Sequence, residues 1–198
     1  MSFRIEQKLL VNKDRIFSFK EWLVKNNSKK IFPDRKIKSI YFENHYSQMF
    51  LDSEEGCVPR KKIRIRSYPM ADKKTKNLEI KISSIEGRFK KQLNINESNY
   101  ISFINNGYFD QQYGICLPRL EVNYLREYHL LFGIRVTIDK NINYKKTIKN
   151  SLSLKDEQEI IELKTNNSTS IDYLLNSFPI EKIRFSKYCR AYNKLFQF

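Results

Sequence analysis

The sequence is short of the residue types on which several kinds of site depend. Its three cysteines, Cys57, Cys116 and Cys189, are odd in number, widely spaced and free of any CxxC pairing, which argues against a disulfide framework and against a cysteine zinc site. A reducing, cytoplasmic setting is expected from that usage. The two histidines, His45 and His129, stand far apart, so a catalytic histidine pair is not expected. No stretch approaches the apolar length of a membrane span, and the N-terminal residues reach Arg4 and Glu6 before any apolar run. Neither a spanning helix nor a signal peptide is therefore expected. Carboxylates are scarce as well: 22 Asp plus Glu face 37 Lys plus Arg, a formal net charge of +15. Such an excess favours polyanionic partners without choosing among nucleic acid, a phospholipid surface and free phosphate chains. No RNA-binding motif or helix-turn-helix pattern is present, so no specific nucleic acid is expected, while a membrane partner is left open. With 198 residues, the chain has room for one well-buried core, and a single domain over 1–198 is expected.

What the chain does have is alternation. Residues 3–9, 62–66, 78–82, 88–93, 135–139 and 161–164 alternate apolar and charged positions with period two, the signature of a strand. Successive side chains on a strand point to opposite faces, so Ile63 and Ile65 share one face while Lys62, Arg64 and Arg66 share the other. Six of the twelve arginines (Arg4, Arg64, Arg66, Arg88, Arg126 and Arg135) fall within expected strands. A solvated outer face is the common origin of such a pattern. Yet arginine offers a rigid fork of donors matched to phosphate oxygens, and crowding it on neighbouring strands is unfavourable through like-charge repulsion unless an anion is bound there. The pattern suits a polyphosphate and its metal ion.

Between the strands, 12–25 is expected to be a helix running into a polar loop at 26–30, and 39–43 a strand. Residues 97–106, closed by Gly107, and 171–177, between Ser170 and Pro179, are expected helices with plausible caps. Residues 120–127 form a weakly alternating strand, 141–157 a polar, lysine-rich loop, and 185–196 a terminal helix. The fold class expected is α+β: an antiparallel eight-stranded tunnel-like β-barrel with a charged lumen, flanked by helices. Desolvating an unpartnered charge costs about several kcal/mol, so such a lumen has to be hydrated and filled by ligand.

Taken in order, the motifs resemble the polyphosphate-polymerase type of VTC domain, within the CYTH or triphosphate tunnel metalloenzyme superfamily. They are Arg4-x-Glu6-x-Lys8, Ser39-Ile40-Tyr41-Phe42-Glu43, Arg64-x-Arg66, Leu78-Glu79-Ile80-Lys81, Asn123-Tyr124-Leu125-Arg126, Arg135-Val136-Thr137-Ile138-Asp139, Ile161-Glu162-Leu163-Lys164 and Arg184-Phe185-Ser186-Lys187-Tyr188. The resemblance implies a tunnel that binds a nucleoside triphosphate and a growing polyphosphate with a divalent ion, Mn²⁺ or Mg²⁺. By motif, the phosphate-binding positions are Lys8, Arg64, Arg66, Lys81, Lys90, Arg126, Arg135 and Lys187, with Arg184 standing where lysine is common. Lys62 and Lys164 join them by alternation, and Lys90 is preferred to Lys91 because it lies opposite the apolar face of Phe89, Leu93 and Ile95. Glu162 occupies the metal-binding carboxylate position; Glu6, Glu79 and Asp139 are secondary metal or orienting candidates. Arg184 and Lys187, three apart, suit one face of a helix start.

Two departures matter: Glu43 stands where the Tyr-Phe-Asp form is frequent, and Arg4 replaces the first carboxylate of the ExExK pattern carried by many hydrolases of the superfamily. The activity implied is ATP-dependent polyphosphate synthesis, with Arg64, Arg66, Lys81, Arg126, Arg135 and Glu162 acting on the transferred phosphate. A phosphate acceptor is already anionic, so alignment and charge neutralisation suffice without a general base. A tunnel triphosphatase or polyphosphatase, and a non-catalytic polyphosphate sensor, are the alternatives.

Overall fold

The computed structural model of the chain describes residues 5–11, 13–71, 75–166, 168–178 and 180–196. In chain order its elements are β1 (Ile5–Val11), α1 (Lys13–Lys25), β2 (Lys29–Glu43), α2 (Gln48–Glu55), β3 (Arg60–Ser67), β4 (Lys76–Ser84), β5 (Gly87–Ile95), α3 (Glu97–Asn106), β6 (Tyr108–Asp110), β7 (Gly114–Leu131), β8 (Ile134–Lys146), β9 (Ser153–Lys155), β10 (Glu159–Thr165), α4 (Ser168–Ser177) and α5 (Lys187–Phe196). Eight strands follow one another in the hydrogen-bonded order β1-β10-β8-β7-β2-β3-β4-β5, with β6 beside β7 and β9 beside β8. The described registers between neighbouring strands are antiparallel. The expected class, an antiparallel α+β fold with eight principal strands and supporting helices, is the one observed.

Contacts divide the chain into two compact units. The first draws on 1–36, 124–142 and 155–185, the second on 37–123, 143–154 and 186–198. In the first unit, Leu9 and Val11, Val136 and Ile138, and Ile161 and Leu163 supply the apolar side of β1, β8 and β10. Helices α1 and α4 cover that side with Ile16, Phe19, Leu23, Ile171 and Leu174, and Trp22 and Phe178 pack at its margin. In the second unit, Ile40, Phe42, Ile63, Ile65 and Leu78 form the core with Met49, Ile95, Tyr113 and Cys116. By strand alternation the residues between them face the other way, among them Glu6, Lys8, Arg135, Asp139, Glu162 and Lys164 in the first unit and Arg64 and Glu79 in the second.

Several elements differ from expectation. Residues 26–30 are not all loop, because β2 begins at Lys29 and runs for 15 residues. Its first half is polar on both faces and carries no period, and Phe32 is held by an edge-on contact to Tyr128, ring centroids 5.5 Å apart. Residues 141–157 are also not one loop, since β8 reaches Lys146 and β9 follows. Ile142 and Tyr144 are fully buried there, a period of two masked by the surrounding asparagines and lysines. Helix α2 was not legible because its cap comes from outside it. The Glu43 carboxylate accepts from the backbone N–H groups of Met49 (3.1 Å) and Phe50 (2.9 Å), while Ser47, at the cap position, has φ 59° and makes no side-chain cap. Helix α5 begins at Lys187, so helical spacing does not apply to Arg184, which lies exposed ahead of it. Arg4 is outside the described residues.

Candidate phosphate and metal sites

In the second unit the register sets three lysines side by side. Lys62 on β3 pairs with Lys81 on β4, which pairs with Lys90 on β5. One pair further along, Arg64, Glu79 and Gln92 stand in a row, and beyond them Arg66, Asn77 and Asn94. All nine point to the face opposite Ile63, Ile65 and Leu78. Like charges directly opposite on neighbouring strands destabilise a sheet, so a row of three lysines beside two arginines stores electrostatic repulsion that an anion would relieve.

A single buried carboxylate anchors this face. Glu79 accepts from Arg64 Nε at 2.8 Å and Nη2 at 2.5 Å through Oε2, and from Lys90 Nζ at 2.6 Å through Oε1; Arg66 Nη1 lies 3.8 Å away. Burial raises its pKa, but the charges of Arg64 and Arg66 and the hydrogen bonds from Lys90 and Arg64 outweigh that and hold it at about 2. Arg64 donates its remaining arm to the Tyr41 hydroxyl at 2.8 Å. Burial pushes that phenol up, yet Arg64, Arg66 and Lys187 bring it below its ordinary value, which places Lys187 in the same cationic field. Lys62 donates to Ser186 Oγ at 2.9 Å, just ahead of α5, and lies 5.6 Å from the centre of the Tyr188 ring. Ser186 also accepts from Cys189 N–H at 3.3 Å, capping α5. Tyr188 in turn donates to Glu43 in a very short hydrogen bond.

The first unit carries a different mixture. Glu6, Lys164 and Arg135 stand in one row across β1, β10 and β8, and Lys8, Glu162 and Thr137 in the next. Arg126 on β7 grips Asp139 with both arms, Nε to Oδ1 at 2.5 Å and Nη2 to Oδ2 at 2.7 Å, and reaches Glu162 Oε2 at 3.2 Å. Lys164 bridges Glu162 Oε1 at 2.6 Å and Glu6 Oε2 at 3.1 Å. Lys8 Nζ lies 3.5 Å from Glu6 and donates to the Phe185 carbonyl at 3.0 Å. Glu162 is buried, which raises its pKa, but Arg126, Lys164 and Lys8 hold it well below the usual carboxylate range, so it is ionised. Arg135 Nε is buried without a hydrogen-bond partner, a donor of the kind a bound anion satisfies.

The geometry therefore gathers Lys62, Arg64, Arg66, Lys81, Lys90 and Lys187 in one unit with Glu79, and Lys8, Arg126, Arg135 and Lys164 in the other with Glu6, Asp139 and Glu162. For a divalent ion, Glu162 and Glu6 fit: they are linked through Lys164, and the surroundings keep Glu162 anionic. Among the described residues no group of three or more His, Cys, Asp or Glu side chains is placed to hold a metal. A Mg²⁺-like ion needs only one or two carboxylates when water and substrate phosphates complete its shell. Both oxygens of Glu79 meet cations, as do both of Glu162, but Glu79 has no second carboxylate beside it among the described contacts, whereas Glu6 shares Lys164 with Glu162. Sequence reasoning passed over Tyr41 and Ser186, which are recognisable only by what they touch.

The fold and the charged faces define a class before any relative is considered: an antiparallel sheet protein with cation-rich polar faces. The sequence matches the VTC domain family over residues 3–115 and again over 108–196. The chain belongs to that family. No curated protein sequence matches it. Among solved structures it is similar to a candidate adenylate cyclase from Bacillus halodurans, with TM-score 0.66 and 13% identity over 99% of this chain and 100% of the other. It is similar to a Pyrococcus horikoshii protein with TM-score 0.62 and 17% identity, covering 97% and 99% of the two chains. A third similar structure, a candidate adenylyl cyclase from Hippeastrum described as having a dominant triphosphatase activity, gives TM-score 0.61 and 16% identity over 96% of each chain. These likenesses show the fold.

Proposed function

We propose that residues 1–198 form a single VTC-type domain that transfers a phosphoryl group, synthesising polyphosphate from the γ-phosphate of ATP. The observation that carries this reading is the Lys62-Lys81-Lys90 row beside Arg64 and Arg66, five cations gathered on one face about the single carboxylate of Glu79, an excess of positive charge that suits a polyanion. In the reaction proposed, the bond between the β–γ bridging oxygen and Pγ breaks, ADP leaves with that oxygen, and a terminal phosphate oxygen of the acceptor forms the new bond to Pγ. Arginine and lysine hold the phosphates in line and neutralise charge as it develops, and the anionic acceptor requires no base. Glu162, with Glu6, would hold Mn²⁺ or Mg²⁺, which supplies charge neutralisation on the phosphate oxygens. Arg126 and Lys164 orient Glu162 from either side.

The likeness to the Hippeastrum protein favours one alternative: transfer to water, a triphosphatase. Three free cysteines suit a cytoplasmic location, and no helix among the described residues is long and apolar enough to cross a membrane. The test incubates the purified chain with ATP and Mn²⁺ or Mg²⁺, resolving products by gel and phosphorus NMR, beside an Arg64→Ala, Arg66→Ala double variant. Phosphate chains made by the wild type and reduced at least about a hundredfold in the variant are expected, since oxyanion donors of this kind are worth ~10²–10³ in rate each. Orthophosphate without chains would move the assignment to the hydrolase, and binding without turnover to a sensor.

A further inference from the structure

We infer that Glu79 is the positioning residue of a metal-independent phosphate grip, fixing Arg64, Arg66 and Lys90, and is not itself a metal ligand. The inference rests on the phosphate-transfer reading and adds a division of labour to it. Glu79 is 1% exposed, and its two oxygens are divided between cations: Oε2 faces both arginines and Oε1 faces Lys90. A divalent ion at Glu79 would have to displace charge-assisted hydrogen bonds and sit among positive groups, with no second carboxylate beside it in the described contacts. At Glu162 an ion would meet Arg126 and Lys164 too, but there a second carboxylate, Glu6, shares Lys164 and can join it.

The positive reason is geometric. Arg64 is itself buried, 6% exposed, and its guanidinium is fixed on three sides by Glu79 Oε2, twice, and by the Tyr41 hydroxyl. A guanidinium held this way loses little conformational freedom when a phosphate arrives, which is the source of its selectivity. Lys90 is hydrogen-bonded to the same carboxylate at 2.6 Å and Arg66 lies within ion-pair distance of it at 3.8 Å, so one anion draws three cations together. Cations at a fixed spacing discriminate between phosphate chains of different length, whereas the same charges on loose side chains attract any anion.

The test measures binding of tripolyphosphate and orthophosphate in EDTA, and the Mn²⁺ affinity of the tripolyphosphate complex, by calorimetry for wild type, Glu79→Gln and Glu162→Gln. Side-chain nitrogen NMR follows the Arg64 Nε–H. The grip predicts that Glu79→Gln lowers the preference for tripolyphosphate over orthophosphate at least about tenfold, leaves Mn²⁺ affinity within about twofold and exposes the Arg64 Nε–H to exchange. Glu162→Gln weakens Mn²⁺ and spares the preference. Should Glu79→Gln fail to fold, Glu79→Asp keeps the buried charge but shortens the reach, and the same loss of preference is expected of it. Weakened Mn²⁺ binding in the Glu79 variants would overturn the inference in favour of a metal ligand, and an unchanged preference would overturn it in favour of a purely structural carboxylate. A wild type that binds no tripolyphosphate would instead overturn the phosphate reading, with the Arg64 signal reporting separately whether Glu79 holds the arginine.

Discussion

Arg135 is the residue at which fold and function pull most plainly apart. Its Nε is buried and unpartnered, in a row with Lys164 and Glu6. Leaving a buried donor unsatisfied costs about 1–3 kcal/mol. Such a cost is expected where a ligand, rather than the protein, completes the hydrogen bond. Arg135→Met keeps much of the stem's packing and removes the orphan donor. It should therefore leave the ligand-free protein as stable or raise its stability by roughly 1 kcal/mol, while weakening tripolyphosphate binding by about tenfold or more. Thermal melts with and without tripolyphosphate check both signs; a variant destabilised alone and unchanged in binding would assign Arg135 to packing. The face each candidate residue takes was legible at this scale because alternation decides face: parity within each strand set Lys62, Arg64, Arg66, Lys81 and Lys90 opposite the apolar side, as the register has them. The contacts of Tyr41, Ser186 and Tyr188 were not, since a tyrosine or serine gives no periodic signal and meets its partner only through a neighbour distant in sequence.

Among elements, helix α3 was readable at both ends, and its two caps act by different physics. Asn96 accepts from the Asn99 N–H at 2.8 Å, an ordinary side-chain cap, while Gly107 closes the helix at φ +83°, where an added Cβ would stand 2.7 Å from the Cys116 carbonyl oxygen. Asn96→Ala should cost about 1 kcal/mol, the usual value of a lost N-cap. Gly107→Ala should cost more, about 2–3 kcal/mol, because backbone strain and a clash with backbone add. Urea unfolding of the two variants measures the difference, and equal costs would mean that β6 and β7 yield to accommodate the side chain. Helix α2 shows the opposite case. Its cap is the Glu43 carboxylate at the end of β2, which burial pushes above the ordinary range even as Tyr188 and three backbone N–H groups hydrogen-bond to it. The departure at Glu43 thus has a structural use, fastening α2 and α5 to one strand end in the second unit.

At the scale of the molecule, a net charge of +15 is held in a folded chain by a few buried carboxylates. Glu79 is held at about 2, and Glu162 and Glu127 are also lowered, the last by the neighbouring His129 and by hydrogen bonds from Lys140 and Lys20. A carboxylate with a folded pKa below its unfolded value of 4.5 binds fewer protons in the native state. Its stabilisation is complete above pH 4.5 and is lost as pH falls toward 2, with net positive charge growing over the same range. Acid unfolding of the wild type should therefore steepen below pH 4.5, and Glu79→Gln should flatten that limb while lowering stability at pH 7. Chemical denaturation from pH 7 to pH 2 checks this; an acid limb identical in the variant would show that Glu79 carries no such linkage.

The sequence by itself determined the alternating strands, the two faces of each of these and the excess of cations over carboxylates, because period-two alternation and net charge are local or additive properties. Its ordered motifs also carried the family. Only the tertiary structure decided which charges answer one another: that Glu79 is enclosed by Arg64, Arg66 and Lys90, that Asp139 is taken by Arg126, and that Glu162 shares Lys164 with Glu6. Those pairings follow from strand register and from residues far apart in the chain, and they separate a carboxylate that shares a cation with a second carboxylate from one enclosed by cations alone.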